Sequence, residues 1–426
     1  MLLRLILMAV LVVTAGFAEV HTLTLQQAVN LALKQNPEVV MARLDEQHAR
    51  EAVRIAKDPF TPKVYGGSGD AYTYGYPNSI GGSAPAIFET KTNMSLFNRQ
   101  QSFQLAAARE NVRGAAIDTQ SKNEEIAFRT ASLFLDARQA ARAAKSVGAE
   151  MEGLERVAEA TQTRVSEGRE IPLESKRAAL NLARAKQRAE AYAADEEYAE
   201  STLAIVLGFP AGDRVATNDD EIKRALVPES EHAAVSAALE NSREVRRLES
   251  QLQVRVLDLR GYKSARYPVV DLVAQYSLLS KYDYQQFFNK FQRNNAQLGV
   301  SITVPLLVGG GAKGYVGEAE VDIEKMRAQM NETRNRVSVD TAKTFNDVKR
   351  AESGMEVARL DLDVAREQVT VLLAQLQEGR VTRSSVDEAR LTEQDKWIAY
   401  YEAQNTVEKA RLSLLRQTGT ILAALK

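Results

Sequence analysis

The 426-residue chain contains no cysteine. That absence excludes disulfides, thiolate metal ligands, a cysteine nucleophile and a lipid-anchored cysteine behind an N-terminal leader. An excess of one charge is also missing: 55 Lys and Arg stand against 56 Asp and Glu, mixed along the chain. No basic tract is available to release counterions from nucleic acid, so no nucleic-acid partner is expected. His21, His48 and His232 are scattered without ligand spacing. They read as ordinary surface residues, and no metal is expected. There is no nucleophile motif, no nucleotide fingerprint and no carboxylate pair that the pattern brings together. No catalytic residue and no cofactor are expected, and the chain is not read as an enzyme. Gly309-Gly310-Gly311-Ala312-Lys313-Gly314 lacks the Gly-Lys-Ser/Thr ending and the βαβ setting of a phosphate loop. A flexible joint explains these glycines better. Beyond residue 18, no apolar run reaches the ~20 residues of a transmembrane helix.

The one unbroken apolar run stands at the start. Arg4, then Leu5 to Val13, then Gly16-Phe17-Ala18 follow the order of a secretory signal peptide. Residues 1–18 are expected to be removed near Ala18, placing the mature chain outside the cytoplasm.

The remainder is written twice. Ala32-Leu33-Lys34-Gln35-Asn36-Pro37-Glu38-Val39 recurs 206 residues later as Ala238-Leu239-Glu240-Asn241-Ser242-Arg243-Glu244-Val245. Glu167-Gly168-Arg169 recurs 211 residues later as Glu378-Gly379-Arg380, and Gly419 answers Gly208 at the same offset. Such a period is far too long for a solenoid and indicates one supersecondary unit built twice. The first repeat is placed at 19–208 and the second at 230–426. Residues 209–229, with Pro210, Gly212 and Pro228, read as a polar, loop-like connector.

Each repeat reads as helix, β-hairpin, long helix, helix. The opening amphipathic helices are expected over Leu25 to Lys57, capped by Thr24 and interrupted at Asn36-Pro37, and over Glu231 to Lys263. The hairpins are expected at about 61–97 and 268–307. Ala296, Leu298, Val300, Ile302, Val304 and Leu306 alternate with Gln297, Gly299, Ser301 and Thr303. Val270, Leu272, Ala274, Tyr276 and Leu278 alternate likewise, with Val273 the exception among the intervening residues. In the first repeat Tyr72, Tyr74 and Tyr76 share one face; Phe88, Thr90, Thr92, Met94 and Leu96 share another. Asp70 breaks that pattern, by a bulge or by lying beyond the hydrocarbon. Strands of about ten residues have the length that crosses a bilayer when tilted.

A proline-free helix follows each hairpin. Leu105, Val112, Thr119, Ile126, Leu133, Ala140, Val147 and Leu154 repeat every seven residues. So do Val316, Ile323, Met330, Val337, Thr344, Ala351, Ala358, Ala365 and Leu372. A seven-residue stripe gives a left-handed supercoiled seam. At ~1.5 Å per residue, Arg99 to Val165 would be about 100 Å long. Each long helix is expected to end at a Glu-Gly-Arg tip, about 167–170 and 378–381, where glycine takes the left-handed cap conformation. Return helices are expected over Pro172 to Leu207 and Ser384 to Ala424.

Four membrane-type strands cannot close a barrel, since the smallest need about eight. Open edges in lipid would leave N–H and C=O groups unpaired at several kcal/mol each. Two copies would leave little bore, whereas three copies supply twelve strands and close.

These features resemble the TolC-like outer-membrane efflux proteins, over essentially the whole mature chain. The residues that carry the resemblance are Leu23-Thr24-Leu25-Gln26-Gln27-Ala28-Val29 with Asn36-Pro37 and the strand-to-helix junction Val304-Pro305-Leu306-Leu307-Val308-Gly309-Gly310-Gly311. Its counterpart Met94-Ser95-Leu96-Phe97 and the two glycine tips complete the match. The resemblance implies a mainly α fold with transmembrane β: a homotrimer whose twelve-stranded barrel, in the lipid of a Gram-negative outer membrane, continues into a periplasmic α-helical barrel. It further implies a passive duct for small molecules or polypeptides, docked on a periplasmic adaptor and an inner-membrane transporter that supplies the energy. A secreted coiled-coil scaffold or adhesin is the alternative, separable by membrane fractionation.

The resemblance also assigns sites at the tips and the entrance. Glu167, Gly168, Arg169, Glu378, Gly379 and Arg380 would meet the adaptor. Arg383, Ser385, Asp387 and Glu388 would narrow the periplasmic entrance, Glu388 at an acidic position of the family and Ser385 where a second acid is common. A ring of three Glu388 carboxylates would focus cations. Tyr72, Tyr74, Tyr76 and Tyr276 would form an interfacial aromatic girdle. Asp271, Glu89 and Lys91 would face the lumen, because a charge on the lipid face costs roughly 2–4 kcal/mol at the midplane.

Overall fold

A computed structural model of the chain describes residues 19–69, 86–218, 227–279 and 292–425. The leader, Asp70, Tyr72, Tyr74 and Tyr76 lie outside those residues.

The first half runs β1 (Val20–Leu23), α1 (Leu25–Gln35), α2 (Pro37–Lys57), β2 (Lys63–Gly69), β3 (Ala86–Phe97), α3 (Arg99–Ser166) and α4 (Pro172–Leu207). The strand β4 (Arg214–Thr217) follows. The second half runs α5 (Glu231–Asn241), α6 (Arg243–Lys263), β5 (Val269–Leu279), β6 (Asn294–Thr303), α7 (Gly311–Gln377), α8 (Arg383–Gln417) and the short α9 (Ile421–Ala424). The helix–hairpin–long helix–helix unit is therefore present twice. The described residues fall into two compact units: those up to Met41, Gln120–Arg243 and those from Arg334 onward make one, Ala42–Thr119 and Glu244–Thr333 the other.

In the first unit, Thr24 starts α1 with a reciprocal capping box: its hydroxyl accepts from Gln27 N at 3.3 Å, while Thr24 N donates to Gln27 Oε1 at 3.0 Å. Asn36 breaks the path to α2. Its buried amide donates to Val206 O at 2.8 Å, and its Oδ1 accepts from Glu38 N at 2.9 Å. Proline at 37 then opens α2, where its missing N–H costs nothing. Two apolar clusters flank α3. Ile126 and Phe134 pack with Ala28, Leu203, Leu207 and Val215, whereas Ala131 and Leu135 pack with Leu412, Leu415 and Ile421. Burying each large side chain contributes roughly 1.5–3 kcal/mol. Every residue of the two seven-residue stripes is buried or half-buried, so the 68-residue α3 and 67-residue α7 each turn one seam inward.

Four features differ from the sequence expectation. The second opening helix is not continuous to Lys263; it breaks at Ser242, which takes nearly the backbone angles of Asn36 without a following proline. The last return helix stops at Gln417, because Gly419 is left-handed like Gly208. Strand β6 ends at Thr303, short of Leu306, where Pro305 has no N–H for the ladder. The connector holds structure: β4 pairs in parallel with β1, from Val20 opposite Arg214 to Leu23 opposite Thr217. His21 in that pair is not an ordinary surface residue. Its ring stacks on Phe209 with centroids 4.3 Å apart, and Nε2 lies 3.6 Å from Asp213 Oδ2.

The second unit carries an antiparallel sheet of order β2-β3-β5-β6. Beneath it, Thr119 Oγ1 donates to Ala42 O at 3.0 Å and Ser250 Oγ to Glu110 O at 3.1 Å. Gly114 leaves room for the Arg247 guanidinium, which pairs with Asp118 at 2.8 Å.

Candidate functional site

The sheet sorts its residues by face. Val64, Thr92, Ala274 and Leu298 form one rung, and Met94, Leu272 and Val300 the adjoining one on the same face. The opposite face carries the rungs Tyr65, Lys91, Gln275, Gln297 and Ser95, Asp271, Ser301. There the polar groups satisfy one another. Ser95 Oγ donates to Asp271 Oδ1 at 2.5 Å, Lys91 Nζ lies 3.0 Å from Glu89 Oε1, and Gln275 Nε2 donates to Glu89. On the apolar face of this single chain, Leu298 is 79% and Val64 71% exposed. Asp271, Glu89 and Lys91 thus share the polar face with Val273. Tyr276 stands on the apolar face and donates its hydroxyl to Asn294 Oδ1 at 3.1 Å. Of the four tyrosines expected in an interfacial girdle, Tyr276 is the one within the described residues.

Both helix tips are the same hydrogen-bonded turn. At the first, Gly168 has φ +70° and its N–H reaches Val165 O, while Arg169 N reaches Arg164 O at 2.8 Å. At the second, Gly379 has φ +71°, Gly379 N reaches Leu376 O, and Arg380 N reaches Gln375 O at 2.9 Å. That pair of bonds closes the last carbonyls of a helix and needs a left-handed residue, which glycine adopts without Cβ strain. The flanking charges pair within each tip: Glu167 with Arg169 at 3.3 Å and Glu378 with Arg380 at 3.0 Å. All four are largely solvated, so these pairs shape the turn while adding little stability.

Next to the first tip lies a small open cleft. Arg164, Glu170, Glu174 and Arg177 line it together with Arg383, Ser384 and Asp387 of α8. Two of the four expected entrance residues, Arg383 and Asp387, are therefore brought to the first tip. Burial raises the Asp387 carboxyl above its ordinary range, although Arg383, Arg390 and Arg164 pull it down. Ser385 is engaged in capping: Thr382 starts α8, and its hydroxyl accepts from Ser385 N and lies 3.0 Å from Ser385 Oγ. Glu388 is exposed on the next turn, outside the cleft lining.

Arg164, Glu170, Glu174 and Arg177 were not singled out by sequence. A signal was available, because the 211-residue offset aligns Glu174 with Ser385 and Arg177 with Glu388. Among the described residues no cluster of His, Asp and Glu has metal-binding geometry, and no helix is long and apolar enough to cross a membrane.

The family model for outer membrane efflux proteins matches residues 28–208 and 234–420. The outer membrane efflux protein BepC of Brucella suis biovar 1 is 23% identical, over 94% of this chain and 86% of that protein. The CmeC outer membrane channel of Campylobacter jejuni aligns with a TM-score of 0.75 at 14% identity, over 93% of this chain and 86% of that one. The open-state MtrE outer membrane channel of Neisseria gonorrhoeae aligns with a TM-score of 0.73 at 16% identity, over 93% and 89%. At these identities the structural matches establish a common fold.

Proposed function

The chain belongs to the outer membrane efflux protein family, and from that premise we propose that it is the passive outer-membrane duct of a tripartite efflux or type I secretion system. Three copies form one duct. The observation that carries this is the two-faced sheet with its unpartnered edges β2 and β6. Within the sheet every neighbouring pair is antiparallel, so β2 and β5 run one way and β3 and β6 the other. β2 of one copy beside β6 of the next continues that alternation, and an even total of twelve strands closes without a mismatched seam. The apolar face then meets lipid and the Glu89, Lys91 and Asp271 face lines the bore. A stripe of exposed apolar residues on α7, Val357, Leu360, Val364 and Val371, has the spacing of a supercoil seam and supports a neighbouring copy there.

The Glu-Gly-Arg tips face a periplasmic adaptor, and Arg383, Ser385, Asp387 and Glu388 flank the entrance through which an inner-membrane pump feeds cargo. Hydrolysis of nucleotide or dissipation of a gradient belongs to that pump. The leader 1–18 directs export, with cleavage near Ala18. Purified protein in a planar bilayer tests the duct directly: stepwise, ion-conducting insertions are expected. Recovery only in the soluble periplasm, with no conductance, would return the chain to the class of secreted coiled-coil scaffolds. Capture of an adaptor through wild-type tips, lost on charge reversal of both Glu-Arg pairs, tests the docking role.

A further inference from the structure

Glu150 is a buried acid that neither the duct nor the tips use. Its side chain on α3 is 9% exposed, and both carboxylate oxygens are shielded from water and lack a hydrogen-bond donor. Among the described residues the cation that pairs with it is Arg188 of α4, with Nη1 3.7 Å from Oε1. That guanidinium is already engaged: its Nη2 lies 2.7 Å from Asp395 Oδ1 on α8. Two carboxylates thus share one arginine, and the exposed one holds it more closely. Around them, Gln394 of α8 donates to Ser146 of α3, and Lys186 of α4 pairs with Glu155 of α3 at 3.1 Å. Tyr192 of α4 also feels Arg188 and Asp395, and burial pushes its hydroxyl up, so it stays neutral.

We propose that Glu150 is a proton-binding site whose occupancy sets how tightly α3, α4 and α8 hold together. The proton comes from solvent and forms the O–H bond of a neutral carboxylic acid. Arg188 is then left to Asp395 alone, and the buried acid no longer carries an unsatisfied charge. On deprotonation the carboxylate competes for Arg188 and gains hydration by loosening the helix contact. Burial first, and the Asp395 charge with it, raises the Glu150 acid, while Arg188 opposes. The folded state therefore holds more protons than the unfolded chain between the ordinary carboxylate value and the raised one. The joint is firmest at acidic pH and weakens as pH rises through that window. Its consequence for transport, an entrance that loosens as the periplasm becomes less acidic, rests on the duct function proposed above.

Hydrogen exchange of the full-length protein, comparing Glu150→Gln with wild type at the same pH, reads the site. For segments around 146–155 and 390–402 the two should exchange alike at pH 5. At pH 8 the Gln variant should exchange several-fold more slowly. A ratio independent of pH, or faster exchange of the variant at pH 8, overturns the proposal. Asp395→Asn gives an independent arm: the pH at which Glu150→Gln begins to protect should move lower in that background, because a competing charge is gone and Arg188 is free. An unmoved onset also overturns it. Conductance between pH 5 and 8 separates the two levels. A pH-dependent exchange ratio without channel current supports the proton site and removes the duct.

Discussion

Four glycines let the cost of a left-handed backbone be separated from the cost of a close contact. Gly168, Gly208, Gly379 and Gly419 have φ of +70°, +88°, +71° and +70°. At Gly168 and Gly379 an added Cβ meets nothing within 4 Å. Alanine there should cost only the backbone term, roughly 1–2 kcal/mol. At Gly208 the Cβ would come to 3.4 Å from Gln35 Cβ and O. At Gly419 it would stand 2.9 Å from Asn241 Cβ and 3.4 Å from its carbonyl oxygen, so the end of α5 must move. Overpacking of that kind adds about 1–3 kcal/mol. The assay is amide exchange at the residue after each glycine, whose N–H closes the turn onto Arg164, Ala204, Gln375 or Leu415. With tenfold per ~1.4 kcal/mol, Gly168→Ala and Gly379→Ala should speed local exchange by roughly 5- to 30-fold. Gly419→Ala should exceed both by at least about fivefold. Gly379→Asn should be milder than Gly379→Ala, because asparagine tolerates the left-handed region. Equal effects of Gly379→Ala and Gly419→Ala, or no effect at either tip, would refute this division of costs.

Three further outcomes are expected. Glu388→Ala should weaken block of single-channel current by multivalent cations; unchanged block removes the acidic ring. Arg243→Ala strands the buried Glu124 carboxylate, which now accepts from Arg243 Nε at 3.0 Å and Nη2 at 2.8 Å. A loss of about 3–5 kcal/mol should appear as a lower melting temperature, and an unchanged one would place the value of this pair near zero. Burial raises Asp387 in the folded chain, so folding takes up protons there and stability falls as pH rises above the ordinary carboxylate range. Asp387→Asn should accordingly gain melting temperature over wild type at pH 8 and lose that advantage at pH 4; a constant offset contradicts the assigned direction.

Long elements were legible because their periods persist. A stripe such as Leu133, Ala140 and Val147 runs through eight positions, and the β6 alternation from Ala296 to Ile302 can hardly be anything but a two-faced strand. Gly168 and Gly379 were legible for a chemical reason, since a helix followed by Glu-Gly-Arg asks for a left-handed cap. The β1–β4 pair was not. Each strand has four residues, too few to show a period, and Glu19 N reaches Asp213 Oδ1 across 194 positions of sequence. The break at Ser242 carries no proline; it becomes intelligible only once Gly419 is seen against Asn241. At the tip, Arg164, Glu170, Glu174 and Arg177 looked like any charges on a solvated helix. Their meaning comes from α3, α4 and α8 converging on one cleft.

The central claim is that β2 and β6 find each other across copies inside the outer membrane. Since the chain has no cysteine, engineered thiols report without background. Val64→Cys, combined in turn with Ala296→Cys, Leu298→Cys, Val300→Cys or Ile302→Cys, scans the stagger of that seam on the apolar face. Oxidised outer membranes run on a non-reducing denaturing gel should show, for at least one pair, covalent products that stop at three chains. Single chains alone for all four pairs, or a ladder continuing past three, would contradict it.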